Sequence, residues 1–577
     1  MRTSIFAAAA FGLGAAIAGN AGAQTIISAD VTTDTTWSGT VVLQQTIFVK
    51  NGAILTIAPG TIVRGQPRTA AVLAGSTVGT PGSLIVTNNG TIVANGTPTQ
   101  PIIMTTAAVD NTGPGGVPDG VPDDVDANGF LDEWVPGGLF LDSNPTTAPL
   151  APLAANGRAN VALWGGIVIL GNATTNLANL AGLGQGLNTI EGLTVPGFPV
   201  ADCTYGGSVG VGDDADSSGS LTYISIRHAG DEIGNSNELN GISLGGVGNG
   251  TEFHHVEIYT NFDDGIEWFG GTVNGHHLQV VFPGDDIFDA DEGYRGSNQF
   301  MVGVLPFFNA SAPANPTIYG SAGGDKGCEF DGDNSDTNPT NVNLVAGKPT
   351  PFQNGNFYNM TISGSRPSAS FNGHTNDNDG CEMRNGFAGS INNGLIFNTG
   401  GDGLGGAVGR QGLDLAGGGV PGWTVDSNAA AGLVVASAIS CDNVLKVTGL
   451  VPETNAFNNG VRNVACVTGV NDPGFRLNDR DTAFTPTGVA GKLDASLGSI
   501  DFRISFRNSV TADGINPPAP LVTDATYRGA YDAVPAMWTD GWTALSMAGM
   551  QPVPEPGLGS MLTAGAMGLL AISRRRR

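Results

Sequence analysis

An acidic segment near residue 125 has the residue types and spacing of a calcium-binding loop. The oxygen-bearing residues at loop positions 1, 3, 5 and 9 are Asp124, Asp126, Asn128 and Asp132. Alternate oxygen ligands on a turning backbone can surround a hard cation, and Gly129 permits the sharp turn that this requires. Val135 stands where a bidentate glutamate is expected, so Glu133 would have to supply that ligand in a shorter loop. We predict calcium binding here, with a solvated acidic loop as the alternative. Two shorter acidic runs are weaker candidates for the same chemistry: residues 213–216 and 331–334.

Three further aspartates are spaced for acid–base chemistry: Asp264, Asp285 and Asp286. Paired carboxylates that leave room for a water molecule can carry out inverting hydrolysis of a glycosidic bond. Asp-Asp-Gly is also a common turn sequence, in which the aspartate side chain bonds to backbone amides. The residues therefore leave two interpretations open, a catalytic group and a structural turn.

Two adjacent histidine pairs form a third candidate site. The pairs are His254-His255 and His276-His277. Imidazoles on neighbouring strands could bind a transition metal, although surface histidines often only stack on one another. If side chains alternate strictly along each strand, His254 and His276 share one face and His255 and His277 share the other.

These candidates lie in a repeat of 22 residues. The sequence FHHVEIYTNFDDGIEW (residues 253–268) aligns without a gap to GHHLQVVFPGDDIFDA (residues 275–290), and looser copies start at Gly327 and Gly380. A period in the low twenties with two short alternating strands is typical of a parallel β-helix. Long amphipathic helical patterns and the leucine/asparagine pattern of leucine-rich repeats are absent from the sequence. We predict an all-β fold, a right-handed parallel β-helix or solenoid with loop insertions.

The repeat also predicts which residues stack between coils, because equivalent positions lie about 4.8 Å apart. The predicted inward column is Ile242, Ile266, Phe288, Cys328 and Cys381. The predicted outward column consists of carboxylates: Glu267, Asp289, Glu329 and Glu382.

Several motifs spread over residues 30–546 resemble a broad family of secreted bacterial β-helix proteins of unsettled function. Among them are NGAILTIAPGTIVRG, LWGGIVILGNA and DDGIEWFGGTV. The resemblance implies a scaffold and names no reaction. The Asp264, Asp285 and Asp286 spacing also resembles the polygalacturonases, β-helical enzymes with Asn-Thr-Asp and Asp-Asp on neighbouring coils. The Gly-His-Gly and Arg-x-Lys motifs of those enzymes have no counterpart at the matching positions here.

The two ends of the chain resemble targeting segments. Residues 1–23 combine Arg2, an apolar stretch and the small residues Ala21-Gly22-Ala23, which predicts a cleaved signal peptide and export through the inner membrane. Residues 553–577 resemble a PEP-CTERM sorting signal with an apolar, helix-forming stretch between two motifs. The motif residues are Val553, Pro554, Glu555, Pro556, Arg574, Arg575, Arg576 and Arg577. The resemblance implies an exosortase-type processing enzyme as partner and a transient contact with the inner membrane.

Between these ends we expect three regions. They are an N-terminal cap with the first coils (residues 24–110), an acidic loop insertion (111–160) and the main β-helix with a C-terminal cap (161–546). Of five cysteines, Cys441 and Cys466 are separated by 25 positions, about one coil. They are the candidate disulfide in an oxidising compartment.

The composition limits the possible partners. The chain has 51 acidic residues against 24 basic ones, five of which belong to the two targeting segments. This charge excludes nucleic acid and anionic lipid surfaces and attracts divalent cations. We predict a surface or extracellular-matrix β-helix without catalysis, with calcium and polysaccharide as ligands. The alternative is a polysaccharide-degrading hydrolase or lyase that uses Asp264, Asp285 and Asp286.

Overall fold

The computed structural model describes most of the central chain and short stretches of the C-terminal part. The described residues are 24–66, 80–107, 162–178, 183, 186–190, 193, 198–232, 238–305, 325–333, 342–363, 380–397, 413–417, 419–437, 440–442, 464–466, 514–518, 521, 525, 527–531 and 537–547.

One face of the molecule is a nine-stranded parallel sheet whose short strands each come from a different coil. Its members are β4 (Thr46–Val49), β7 (Ser83–Val86), β10 (Ile167–Leu170), β16 (Ile242–Gly245), β18 (Ile266–Phe269), β20 (Phe288–Asp291), β22 (Cys328–Asp331), β26 (Glu382–Arg384) and β29 (Asp414–Gly417). Aliphatic and β-branched residues dominate the inward positions, as expected for strands buried on one side.

A 17-stranded sheet supplies the other strands of each coil. Its members are β1 (Thr25–Ile27), β2 (Thr35–Trp37), β3 (Thr40–Leu43), β5 (Ile54–Ile57), β6 (Ile62–Gly65), β8 (Thr91–Asn95), β9 (Ile102–Thr106), β13 (Gly219–Arg227), β17 (Glu252–Tyr259), β19 (Gly275–Val281), β21 (Ser297–Val304), β25 (Asn356–Ser363), β27 (Ser390–Asn392), β28 (Leu395–Phe397), β32 (Val435–Ser437), β33 (Ser440–Asp442) and β34 (Val464–Cys466). The first half of β13 pairs with β8 and its second half with β9, so the sheet folds along a line and provides two faces.

Small elements complete the described structure. Four antiparallel pairs lie outside the coils: β11 (Asn188–Thr189) with β12 (Thr204–Tyr205), β14 (Asp231–Glu232) with β15 (Glu238–Leu239), β23 (Leu344–Val345) with β24 (Lys348–Pro349), and β30 (Gly419–Val420) with β31 (Trp423–Thr424). The helices are a 3-10 turn at Val200–Asp202, α1 (Val425–Ala430) and α2 (Ala544–Met547). None of these helices is long and apolar enough to cross a membrane.

The parallel β-helix predicted from the repeat is confirmed, and the inward column has the predicted register. Ile242 pairs with Ile266, Ile266 with Phe288, and Phe288 with Cys328. All of these side chains, and that of Cys381, are fully buried in one continuous hydrophobic core. Burial of a large aliphatic or aromatic side chain contributes about 1.5–3 kcal/mol, so stacking coils is what stabilises each of them.

A column of left-handed residues marks the fold line of the 17-stranded sheet. The column, called the bend column below, is Tyr223, His255, His277, Phe300 and Asn359, each with φ between 50° and 58°. A left-handed residue interrupts the alternation of side chains along the strand. The expected placement of His254 and His255 on opposite faces is therefore wrong, since their rings are in contact.

Most long connections between described strands begin or end at the nine-stranded sheet. Long segments enter this sheet before β7, β10, β22, β26 and β29, and others leave it after β10 and β22, whereas residues 443–463 connect β33 to β34 within the 17-stranded sheet. At the bend column the chain either continues within one strand or crosses through a short link, the longest being residues 96–101. The long connections therefore join mainly at the edges of the nine-stranded sheet, and the bend column has only short links.

The described part of the C-terminal region packs along the flank of the coils. We call the described residues between 514 and 547 the C-terminal strap. The amide of Ile515 donates to Asn393, Tyr527 accepts from Asn359, and Trp542 lies against Tyr223. The strap thus runs from late coils back towards early ones along the bend column, in a region assigned from sequence to the C-terminal cap.

Candidate functional site

The outward side of the nine-stranded sheet carries one carboxylate per coil over five consecutive coils. We call these residues the acidic column: Glu267, Asp289, Glu329, Glu382 and Asp414. Register pairs each of them directly with the next, which confirms the four predicted members and adds Asp414. In the earlier coils the equivalent positions are apolar: Phe48, Ile85 and Val168 lie in one buried cluster with Ile190 and Tyr205. The sheet therefore changes from a covered apolar face to an acidic one at Ser243.

Asp264 and Asp286 both cap the backbone of the neighbouring coil. Asp264 Oδ1 accepts from the amide of Asp286 at 2.8 Å, and Asp286 Oδ1 accepts from the amide of Lys326 at 2.6 Å. Asn240 has the same role one coil earlier, because its Oδ1 accepts from the amide of Asp264 at 3.1 Å. These contacts are the ones expected of the structural turn. One oxygen of each aspartate is therefore occupied by a hydrogen bond to the backbone.

Lys326 is the centre of a dense ionic cluster beside the acidic column. Its ammonium lies 2.8 Å from Asp325, 3.1 Å from Glu329, 3.3 Å from Glu382 and 3.9 Å from Asp286. Burial opposes its charge, but the surrounding carboxylates raise the pKa of Lys326. The lysine therefore stays protonated at neutral pH and is a poor general base.

Arg384 is a second cation beside the acidic column. Its guanidinium contacts Glu329 at 2.9 Å and Asp331 at 2.6 Å. Burial alone would raise the pKa of Glu329, but Lys326 and Arg384 hold it below its usual value. The pKa of Asp331 instead rises to about 7, because burial outweighs the attraction of Arg384.

The first two members of the acidic column, Glu267 and Asp289, lie close to Asp264. One carboxylate oxygen from each of Asp264, Glu267 and Asp289 lies within 4.8 Å of the others. Asn240 donates to Glu267, whereas the buried Oδ1 of Asp289 has no hydrogen-bond partner among the described residues. Burial and then the charge of Asp264 raise the pKa of Asp289 well above its usual range. Three converging oxygens in this setting fit a hard divalent cation.

Asp285 lies at the edge of the same face. One oxygen of Asp285 is within 4.8 Å of oxygens of Asp286 and Asp325. Burial, followed by repulsion from Asp325, raises the pKa of Asp285 to about 7. The structure thus brings all three sequence-predicted aspartates together. The oxygens of Asp264 and Asp285 lie within 4.8 Å of each other, closer than the roughly 6.5–9.5 Å between the carboxyl groups of an inverting hydrolase.

Other sequence-predicted sites fall in different places. The loop ligands Asp124, Asp126, Asn128 and Asp132 and the sorting residues 553–577 lie outside the described residues. The run at residues 213–216 is engaged in structural contacts, since Asp214 binds Arg295 at 2.8 Å and Asp216 accepts from the amide of Asn172. Strand register places Cys441 opposite Ala465 and Cys466 opposite Asp442, and their disulfide stays a prediction.

Sequence reasoning missed Lys326, Asp325 and Asp414 as members of the site. Lys326 immediately precedes the Gly-Cys-Glu copy of the repeat, in the position of Asp264 and Asp286. The lysine at a repeat position that is otherwise occupied by turn aspartates could have identified Lys326 as a member of the site. Asp414 lies in a coil whose sequence departs from the repeat, so only strand register reveals it.

Comparison with known proteins agrees with this architecture. No curated protein matches the chain significantly, and neither does any solved structure. The family described as a pectate-lyase-like beta helix domain matches residues 26–117 and 146–406, which together make up more than half of the chain. This match covers the apolar start of the nine-stranded sheet and most of the acidic column. The chain belongs to the pectate-lyase-like β-helix domain family.

Proposed function

We propose that this protein is exported and binds calcium on the first part of the acidic column, and through calcium holds acidic polysaccharide outside the cell. The observation that carries the proposal is the convergence of one oxygen each from Asp264, Glu267 and Asp289, of which Asp289 has a buried Oδ1 without a hydrogen-bond partner among the described residues. Calcium takes oxygen ligands in flexible geometries and leaves sites for oxygens of a second molecule. Carboxylated sugars supply such oxygens.

The surroundings of the acidic column support a binding role. Long insertions border both edges of the nine-stranded sheet, where they can contribute to a ligand surface. A strongly acidic chain would repel an acidic polymer, so a bridging cation is needed for attachment. Export is supported by the signal-peptide pattern of residues 1–23 and the sorting pattern of residues 553–577.

Calcium titration calorimetry on the purified exported protein tests the proposal. Asp289→Asn should weaken one calcium-binding event at least about 10-fold, because it removes a charged ligand. Asp426→Asn removes an exposed charge on α1 and serves as the matched control. A second variant, Asp124→Ala with Asp126→Ala, separates this event from binding at the predicted loop. Unchanged calcium affinity in Asp289→Asn would refute the site.

Retention on immobilised polygalacturonate or alginate tests the proposed binding of acidic polysaccharide through calcium. Wild-type protein should be retained in calcium and released by a chelator, and Asp289→Asn should pass through in both conditions. Equal retention of wild type and variant, or retention that resists the chelator, would argue against calcium bridging.

Polysaccharide cleavage is the second candidate function. The pKa of about 7 of Asp285 suits an acid–base group at neutral pH, and the family description points to polysaccharide chemistry. Against it, Asp264 and Asp286 each commit an oxygen to a backbone amide. Incubation with acidic and neutral polysaccharides should release no reducing ends and no unsaturated products. Release by wild type that Asp285→Asn lacks would replace binding with catalysis as the primary function.

A further inference from the structure

Four imidazoles are packed together on the bend side of the coils, in the 17-stranded sheet. His254 stacks on His276 with ring centres 4.5 Å apart, and His255 stacks on His277 at 4.4 Å. The Nδ1 atoms of His254 and His255 are 2.9 Å apart, and those of His276 and His277 are 2.7 Å apart. The bend column creates this arrangement, because left-handed backbone at His255 and His277 brings each pair onto one side.

The nitrogen atoms of this cluster converge as metal ligands do. One nitrogen from each of His254, His255 and His276 lies within 4.8 Å of the other two. Imidazole nitrogens bind zinc at about 2.0–2.1 Å, which places tetrahedral neighbours roughly 3.3 Å apart. The observed Nδ1 separations reach that value after small rotations of the rings.

Glu252 provides the outer partner that metal-bound histidines usually have. Its Oε1 lies 3.1 Å from Nε2 of His254. With a proton on Nε2 donated to Glu252, the Nδ1 atom of His254 carries the lone pair and faces the other imidazoles. The carboxylate thus selects the tautomer in which Nδ1 is the ligand atom.

Aromatic side chains enclose the histidine cluster on its flanks. Tyr223 stacks on His255 at 4.2 Å, and Trp538 of the C-terminal strap meets His277 edge-on at 5.1 Å. These rings limit the movement of the imidazoles and hold the nitrogens close together.

We propose that His254, His255 and His276 form a binding site for a late first-row transition ion such as Zn²⁺ or Cu²⁺, with Glu252 positioning His254. Imidazole suits these ions, whereas calcium prefers oxygen, so the histidine cluster and the acidic column take different metals. His277 stacks beside the three ligands and offers a fourth nitrogen. The site lies in different strands from the acidic column and does not depend on the proposed calcium binding.

The neighbouring coils suggest substitutions that preserve the fold. Thr222 and Gln299 are the register partners of His254 and His276, so the double variant His254→Thr with His276→Gln copies residues that the sheet already accepts. Asn359 has left-handed backbone in the bend column, so His255→Asn keeps the required conformation. His228→Asn removes a buried histidine with left-handed backbone at the end of β13 and is the control.

The test is zinc titration of untagged protein in excess calcium, together with electron paramagnetic resonance of the copper-loaded protein. Wild type and His228→Asn should bind one Zn²⁺ with equal affinity. When loaded with copper, both should show nitrogen hyperfine splitting from at least two imidazoles. The double variant and His255→Asn should lose this binding, and Glu252→Gln should weaken it about 10-fold or more. The proposal would be overturned if a folded His255→Asn protein bound zinc with an affinity within a factor of about 2 of wild type. It would also be overturned if the copper signal of the wild-type protein came from oxygen ligands alone.

Discussion

The buried carboxylate of Glu257 accepts a hydrogen bond of 2.7 Å from the backbone amide of Ala544, which is 287 residues further along the chain. The same carboxylate accepts from Ser225 and Gln279 on the neighbouring coils. Burial raises the pKa of Glu257, and the charge of the fully buried Arg227 opposes this rise. Glu257 therefore joins the first residue of α2 to the central coils. This contact fixes the end of the C-terminal strap against the bend column.

Glu257→Ala should weaken the attachment of the strap and the coils beneath it. Removal of this carboxylate leaves the amide of Ala544 and the side chain of Gln279 without this buried acceptor, which should cost about 1–3 kcal/mol. Hydrogen exchange of the α2 amides and limited proteolysis would measure the loss, and Glu252→Gln on the same strand is an exposed control. Unchanged protection of α2 would show that aromatic packing alone holds the strap.

Asp264→Asn and Asp264→Ala should behave differently. The amide oxygen of asparagine can still accept from Asp286, as Asn240 does from Asp264, so we expect a folded protein with nearly unchanged melting temperature. Alanine leaves the amide of Asp286 without this acceptor and should cost about 1–3 kcal/mol. Thermal melting at pH 7 distinguishes the two. An equal effect of both substitutions would mean that the charge, and not the cap, matters.

The contribution of Asp285 and Asp331 to thermal stability should fall as pH rises from 5 to 8. The pKa values of Asp285 and Asp331 are about 7, above the unfolded value near 3.8. A raised folded-state pKa adds stability that is complete below the unfolded pKa and is lost as pH rises through the folded one. Calorimetric melting of wild type and of Asp285→Asn with Asp331→Asn across this range measures the contribution, and the melting temperature of wild type should decline relative to that of the variant as pH rises. An identical pH dependence of the two proteins would contradict these shifts.

Lys326→Met should destabilise the coils around β20 and β22 at pH 8. The substitution leaves Asp286, Glu329 and Glu382 near one another without the ammonium, at a cost of about 3–5 kcal/mol. The cost should shrink at pH 5, where the carboxylates with raised pKa values take up protons. Hydrogen exchange at both pH values measures this, with Lys326→Arg as the charge-preserving control. Equal destabilisation at pH 5 and pH 8 would point to lost packing instead.

Mass spectrometry of the secreted protein should place its N-terminus near Gln24 and its C-terminus close to Val553. The signal-peptide pattern and the resemblance to a PEP-CTERM signal both require these cleavages. Peptide mapping without reduction would show in the same sample whether Cys441 is linked to Cys466. An intact 577-residue chain would contradict processing at both ends.

The coil architecture was predictable because one stacking rule applies to every repeat. A single aligned repeat predicted that Glu267 pairs with Asp289 and Ile266 with Phe288, and both pairings are found. The histidine contact between Nδ1 atoms was not predictable, because left-handed backbone at His255 cannot be read from an alternating pattern. Lys326 shows a second limit, since its four carboxylate neighbours come from several coils separated by long insertions.

The distribution of insertions gives the molecule a constant side and a variable side. Most long connections between the described strands enter or leave at an edge of the nine-stranded sheet, while the bend column keeps short links. Loops next to the acidic column can therefore be exchanged, lengthened or replaced by a foreign peptide without shifting the register of the core. On the opposite side the links are short, and even the link at residues 96–101 keeps the register, since Asn95 pairs with Thr222 and Ile102 with Ile224. Ligand preference can thus be re-engineered independently of the scaffold.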